Sequence, residues 1–278
     1  MKSVVVFDID GLSIRSAGCY GNVETSTPLL NEFAAQSLVF EQHYRAFVDS
    51  RRDRDAAIGS LVSMFEVECA PLLLCDVETE SEYETTRFDG VDELTNALEE
   101  HFDSEDSVAW IRIGHAAGEV DDRFPLALVA GLVEAGVAVA VTSCTPLLED
   151  EALTIDHEES IRVPFMLWSP EASRVQQVTT SSALDDVMLD EAEARNGVLI
   201  RSDRAIALRE SEAMLVVTDE CRSALEEIEP DRLGDCIDVT DKGLRLFRKP
   251  DDVWNVHNVL VEDVNLAIEM FSRLRSLL

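Results

Sequence analysis

The chain has 278 residues, 46% of them hydrophobic, and a formal net charge of −33. That hydrophobic content excludes a disordered chain, and the length suffices for one large core or a core with a small appendage. The charge works against nucleic acid, anionic membranes and sulfated polysaccharides as partners, and suits solubility, a high-salt cytoplasm or a basic partner.

Lysine occurs only at Lys2, Lys242 and Lys249, so arginine supplies nearly all the positive charge. No apolar run reaches the roughly 20 residues of a membrane helix. The start, Met1 to Asp8, has a short apolar run, early carboxylates and no small-residue cleavage site, so it does not read as a signal peptide. A cytoplasmic location is the expectation. Cys19, Cys69, Cys75, Cys144, Cys221 and Cys236 are scattered without metal-type pairing. They read as reduced core thiols.

In chain order, the apolar, β-branched run Val4–Phe7 predicts a buried strand. Thr27-Pro28 is a start signal for a helix over 28–36. Helical spacing follows over 53–65, then a short strand over 71–75. Residues 91–102 predict an amphipathic helix with Leu94, Leu98 and Phe102 on one stripe. A strand is expected over 108–114, a helix over 125–135 closed by Gly136, and strands over 137–143 and 163–168. A helix is expected over 183–195. Strands alternating with helices imply a mostly parallel sheet flanked by helices, an α/β fold. Beyond Asn196-Gly197 the pattern becomes short alternating strands over 198–208, 213–217 and 244–248, then a closing helix over 260–278. The expected organisation is an α/β domain over 1–197 and a small C-terminal α+β subdomain over 198–278 packed on it.

Several motifs belong together. Gly18-Cys19-Tyr20-Gly21-Asn22, then Thr27-Pro28-Leu29, Phe33-Ala34-Ala35 and Val39-Phe40 form one group. Glu158-Glu159-Ser160-Ile161-Arg162-Val163-Pro164-Phe165 is a second, and Leu246-Phe247-Arg248 through Pro250-Asp251-Asp252 to Asn258 a third. This set resembles the type I sulfatases of the alkaline phosphatase superfamily. The resemblance runs along most of the chain. It implies that family's mostly parallel sheet with a small C-terminal antiparallel sheet, and a site built from a divalent cation, a formylglycine nucleophile and cationic side chains.

Carried over residue by residue, the resemblance places the first metal-ligand pair on Asp10 and Gly11, of which only Asp10 has a carboxylate. Asp10 reads equally as a strand-end residue capping a turn. The nucleophile motif C-x-P-x-R falls on Ser50-Arg51-Arg52-Asp53-Arg54, with Ser50 at the nucleophile, Arg54 at the motif arginine and Arg52 in place of the proline. Without that proline, conversion of Ser50 to formylglycine is not expected. Ser50 reads otherwise as the N-cap of a helix beginning near Asp53. The second ligand pair falls on Cys144 and Thr145, which cannot replace carboxylates for a hard cation. His115 matches a substrate-contacting histidine. Arg51, Arg52 and Arg54 are candidates for an anion site, or for pairing with Asp49, Asp53 and Asp55.

A competing pattern overlaps the first strand. Val4-Val5-Val6-Phe7-Asp8-Ile9-Asp10-Gly11-Leu12 also resembles the first motif of haloacid dehalogenase-type phosphatases, with Asp8 as nucleophile, Asp10 as general acid and both on magnesium. Thr142 or Ser143 and the pair Asp185-Asp186 would complete that site, but no lysine lies between Ser143 and Asp185. The expectation is therefore a sulfatase-like protein with a degenerate site, acting without turnover by binding a small anion or a protein partner. It would need no cofactor, with calcium or magnesium implied only if Asp10 still serves a working site. The alternative is a sulfuric or phosphoric ester hydrolase using Ser50, Asp10 and His115.

Overall fold

A computed structural model of the chain describes residues 3–64, 72–75, 86, 91–102, 107–114, 124–145, 155, 157–170, 176–178, 197–222, 243–252 and 255–278. The apolar run near the start becomes β1, Val4–Ile9, with every residue buried. It lies between β4, Val108–Ile113, and β5, Ala138–Thr142, both parallel to it. β3, Leu72–Cys75, adds in parallel beside β4. On the other side, β6 (Phe165–Trp168) is antiparallel to β5 and to β2 (Leu38–Phe40), and β7 (Gln176–Val178) pairs parallel with β2. The sheet order is β3-β4-β1-β5-β6-β2-β7.

Successive residues of a strand point to opposite faces, and both faces of this sheet are covered. Val5, Phe7 and Ile9 pack with Leu30 and Phe33 of α1 (Pro28–Ala34), Leu98 of α3 (Val91–Phe102) and Leu128, Val129 and Leu132 of α4 (Leu126–Glu134). Val4, Val6 and Trp110 pack with Ile58 and Leu61 of α2, Ser50–Met64. Gly136 takes the left-handed conformation after α4, φ 77°, and its N–H bonds Val133 O. That is the C-terminal stop its glycine predicted.

The second sheet is antiparallel, in the order β11-β10-β9-β8. The strand expected over 198–208 is two strands, β8 (Val198–Arg201) and β9 (Ala205–Arg209). Ser202 makes the turn: its Oγ accepts the N–H groups of Arg204 and Ala205. β10 (Ala213–Thr218) and β11 (Leu244–Arg248) follow. The closing helix α6, Val264–Ser276, starts four residues later than expected, where Asp263 accepts the Leu266 N–H. Ala267, Met270, Phe271 and Leu274 bury its apolar stripe on Ile206, Leu215, Val217 and Leu246. The helix expected over 183–195 lies outside the described residues.

The two sheets share a joint. Tyr44, Val48 and Ile161 pack with Ile200, Ala207, Met214 and Phe247. At its centre is Glu158, on the short helix α5 (Glu158–Ile161). Glu158 lies 2.9 Å from Lys249 Nζ and 3.3 Å from Arg209 Nη2, and accepts the Tyr44 hydroxyl at 2.9 Å. All four side chains are buried. Asp252 and Asn258, from the third motif, accept backbone N–H groups: Val256 and His257 on Asp252, Leu246 and Leu260 on Asn258. These motif residues are structural.

Candidate functional site

In an open α/β sheet, ligands bind beyond the carboxyl ends of the parallel strands. Of the sequence-predicted residues, Asp8, Asp10, Arg54 and Cys144 lie there, on the α2 face. Strand alternation sets Asp8 of β1 level with Arg112 of β4 and Thr142 of β5. Asp10 follows one pleat on, just past the end of β1, and Cys144 lies just past β5.

Asp10 meets a guanidinium. Arg112 Nε donates to its Oδ1 at 3.0 Å and Arg112 Nη2 to its Oδ2 at 2.8 Å. This is the two-point fork that fits a carboxylate most strongly. Gly11 has no side chain to add, and its φ of 78° is one that other residues adopt only with strain. Its N–H donates to Thr145 O at 2.8 Å.

Asp8 is fully buried, and its Oδ1 accepts the Cys144 N–H at 2.8 Å. Burial raises its pKa, partly offset by that N–H and by the Arg54 charge. Arg54 is buried on the first turns of α2, so it faces inward. Cys144 is a buried thiol whose pKa is raised well above its ordinary value, first by burial and then by the Asp8 and Asp53 charges. It stays protonated. Asp53 accepts the Ala46 and Phe47 N–H groups at 2.8 and 3.1 Å and lies 3.7 Å from Arg45 Nε.

The nucleophile-position residue sits at the rim. α2 begins at Ser50 itself, and Asp49 Oδ1 accepts the Arg52 N–H at 2.8 Å. Asp49 is thus the cap, which corrects the expectation that Ser50 caps a helix beginning near Asp53. The aspartate wins because it precedes the first helical residue. Ser50 Oγ accepts Arg45 Nη2 at 3.3 Å.

The three candidate anion-binding arginines diverge. Arg51 turns to Asp55 at 3.8 Å, and Arg52 reaches Asp203 in the β8–β9 turn at 2.9 Å, both on the surface. Only Arg54 points to the buried corner. His115 lies outside the described residues, as do Asp185 and Asp186. A cavity of about 60 Å³ beside the corner is lined by His43, Arg45, Asp53, Trp110, Thr142 and Cys144. It has room for a few water molecules, whereas pockets for drug-sized ligands run to roughly 300–1,000 Å³.

As a donor set for calcium or magnesium, this corner is a poor match. Such ions need several oxygen ligands, mostly carboxylates. Here Asp10 is held by Arg112, position 11 has no side chain, and Cys144 and Thr145, where the resemblance implies a second ligand pair, carry a thiol and a hydroxyl. Among the described residues, no group of three or more His, Cys, Asp or Glu is arranged to hold a metal ion.

Geometry also bears on the haloacid dehalogenase alternative. An aspartyl nucleophile must reach substrate, and Asp8 is sealed. Lys249, the lysine within the described residues, is spent on Glu158.

The sequence reading missed Arg112 and Arg45. Arg112 stood inside a strand expected from its apolar neighbours. The available signal was its parity with Trp110, which put a charge on a face otherwise buried.

The fold defines the class: the chain has the architecture of the sulfatases and the alkaline phosphatase superfamily. It is similar to a sulfatase of Bacteroides thetaiotaomicron glycosaminoglycan metabolism (BT33336S-sulf), at a TM-score of 0.71 and 11% identity over 99% of this chain and 98% of that one. It is similar to a phosphonate monoester hydrolase of Agrobacterium radiobacter, at a TM-score of 0.64 and 10% identity over 100% and 95%. A protein in the alkaline phosphatase superfamily from Vibrio parahaemolyticus aligns at a TM-score of 0.57 and 11% identity over 78% and 77%. No protein-family model and no curated relative matches the chain. Among the described residues, no helix is long and apolar enough to cross a membrane.

Proposed function

We propose that this sulfatase-fold chain does not turn over esters and acts by binding, to a small anion or to a protein partner. The observation that carries this reading is the state of the Ser50 hydroxyl. A serine attacks an ester only when a base takes its proton or a metal lowers its pKa. Among the described residues, the polar contact of Ser50 Oγ is a donor, the Arg45 guanidinium. A guanidinium is a donor only and stays charged, so it cannot take the serine proton.

Two features support binding to a partner that is not strongly anionic. The net charge of −33 opposes the approach of sulfated or phosphorylated substrates. Two of the three candidate anion-site arginines are spent on surface carboxylates. A basic protein surface is the complementary partner, and a cytoplasmic setting fits the reduced cysteines.

A second reading, an ester hydrolase with a remodelled site using Ser50, Asp10 and His115, draws support from the hydrolases among the structural neighbours. The test is turnover of aryl sulfate, aryl phosphate and aryl phosphonate by the wild type and Ser50→Ala, with peptide mapping of residue 50. The expected result is an unmodified serine and equal background rates. Hydrolysis that vanishes in Ser50→Ala establishes the second reading.

A further inference from the structure

We propose that Arg112 is a built-in substitute for the divalent cation of this fold, so that the corner is charge-balanced without metal. The proposal rests on the sulfatase-fold reading of Asp10 and deepens it.

Three carboxylates converge beyond the ends of β1 and β5: Asp8, Asp10 and Asp53. Two buried guanidinium groups, Arg45 and Arg54, and the partly buried Arg112 face them. Arg112 forks onto Asp10 through two hydrogen bonds. The Arg54 charge acts on Asp8. Arg45 lies 3.7 Å from Asp53 and also donates to the Val48 carbonyl at 2.6 Å. Three acids thus stand against three guanidinium groups, with Asp8 acted on by both Arg54 and Arg112.

In such surroundings charges interact far more strongly than in water. A divalent ion entering a balanced cluster gains little from the carboxylates and is repelled by the arginines. It would also have to break the fork on Asp10, whose two oxygens are both occupied. The pairing is anchored at both ends: Asp10 follows β1, whose whole length registers with β4, the strand that carries Arg112. Asp10 N–H also bonds Ile113 O at 3.0 Å, which fixes the two residues across the ladder. The guanidinium is therefore fixed by the sheet itself.

The inference reverses on removal of the arginine. Arg112→Gln keeps a polar, though shorter, side chain and removes the positive charge. Asp10 is then released beside Asp8, and the cluster carries excess negative charge that a hard cation can neutralise. Arg112→Lys keeps the charge and should remain indifferent to metal.

The experiment is thermal unfolding and calorimetry with calcium and magnesium, against potassium chloride of matched ionic strength. Wild type, Asp10→Asn, Arg112→Lys, Arg112→Gln and Arg112→Gln/Asp10→Asn are compared. Wild type and Arg112→Lys should show no cation-specific stabilisation. Arg112→Gln should bind calcium at least about tenfold more tightly than wild type, and the added Asp10→Asn should abolish the gain. Cation-specific stabilisation of the wild type that Asp10→Asn removes would overturn the proposal, and so would an Arg112→Gln protein that folds yet ignores metal. If Arg112→Gln does not fold, the wild-type and Arg112→Lys measurements still decide. Ester turnover in the same wild-type samples separates the two readings. Turnover without metal response sinks the binding function and leaves this inference standing; metal response without turnover does the reverse.

Discussion

Glu158 has two buried cations and a phenol on one carboxylate, and that makes it the most sensitive single residue in the joint between the sheets. Burial pushes its pKa up, but Arg209, Lys249 and the Tyr44 hydroxyl outweigh burial and hold it below its ordinary value of 4.5. Removing one partner of a buried ion pair leaves the others uncompensated, at a cost of about 3–5 kcal/mol. Glu158→Ala should destabilise by about that amount in a urea titration, and a loss below about 1 kcal/mol would show that Arg209 and Lys249 find other partners. The depressed value also sets a pH dependence. The contribution is fully present above pH 4.5 and is lost as pH falls through the lower folded-state value. Wild-type stability should therefore fall on acidification below pH 4.5, with a smaller slope in Glu158→Gln. Nothing in the sequence pointed to this role. Glu158 lay in a family-like motif, and its partners Tyr44, Arg209 and Lys249 are distant in sequence.

At the scale of elements, packing at two glycines separates tight from open positions. A Cβ on Gly243, at the start of β11, would sit 2.0 Å from Cys221 Sγ and 2.7 Å from its Cβ. Overpacking of this kind costs about 1–3 kcal/mol, so Gly243→Ala should lower the denaturation midpoint. Gly131, in α4, has nothing within 4 Å of the same point. Gly131→Ala should raise stability by about 0.5–1 kcal/mol, through helix propensity and a less flexible unfolded chain. Equal effects at the two sites would contradict this packing. The elements themselves were largely legible. β1, α3 and β11 follow from apolar runs and stripes that need no distant partner, and α3 matches its predicted bounds. The misses share a cause. β2 and β7 have three residues each, too short to show a period. The β8–β9 turn is Ser202-Asp203-Arg204, without glycine or proline, so two strands read as one. At the candidate site, the sequence itself displays Gly11, Cys144 and Thr145 at positions where the resemblance implies ligands. The fork of Arg112 on Asp10 was not legible, because a strand-borne arginine acquires its partner only when β4 and β1 pair.

For the whole molecule, 56 acidic residues against 23 basic ones leave a surface that repels itself. Salt screens exposed charges separated by more than about 10 Å at 0.1 M, and by shorter distances at higher salt, so it weakens surface repulsion more than the buried pairs. Thermal stability should rise steeply from low to molar potassium chloride and much less with an osmotically matched sugar. A salt response no larger than the sugar's would show that the surface charge is already compensated locally. The fork between Arg112 and Asp10 has one more consequence, which concerns the order of mutational steps. Placing an aspartate at position 144 while Arg112 remains adds a buried carboxylate beside Asp8 and Asp53. Removing Arg112 first strands Asp10 without a counter-ion. Putting a side chain back at Gly11 strains a left-handed turn. Each of these single changes therefore lowers stability when no cation is present. A path from this sequence to a metal-binding corner runs through less stable intermediates unless the cation is there from the first step.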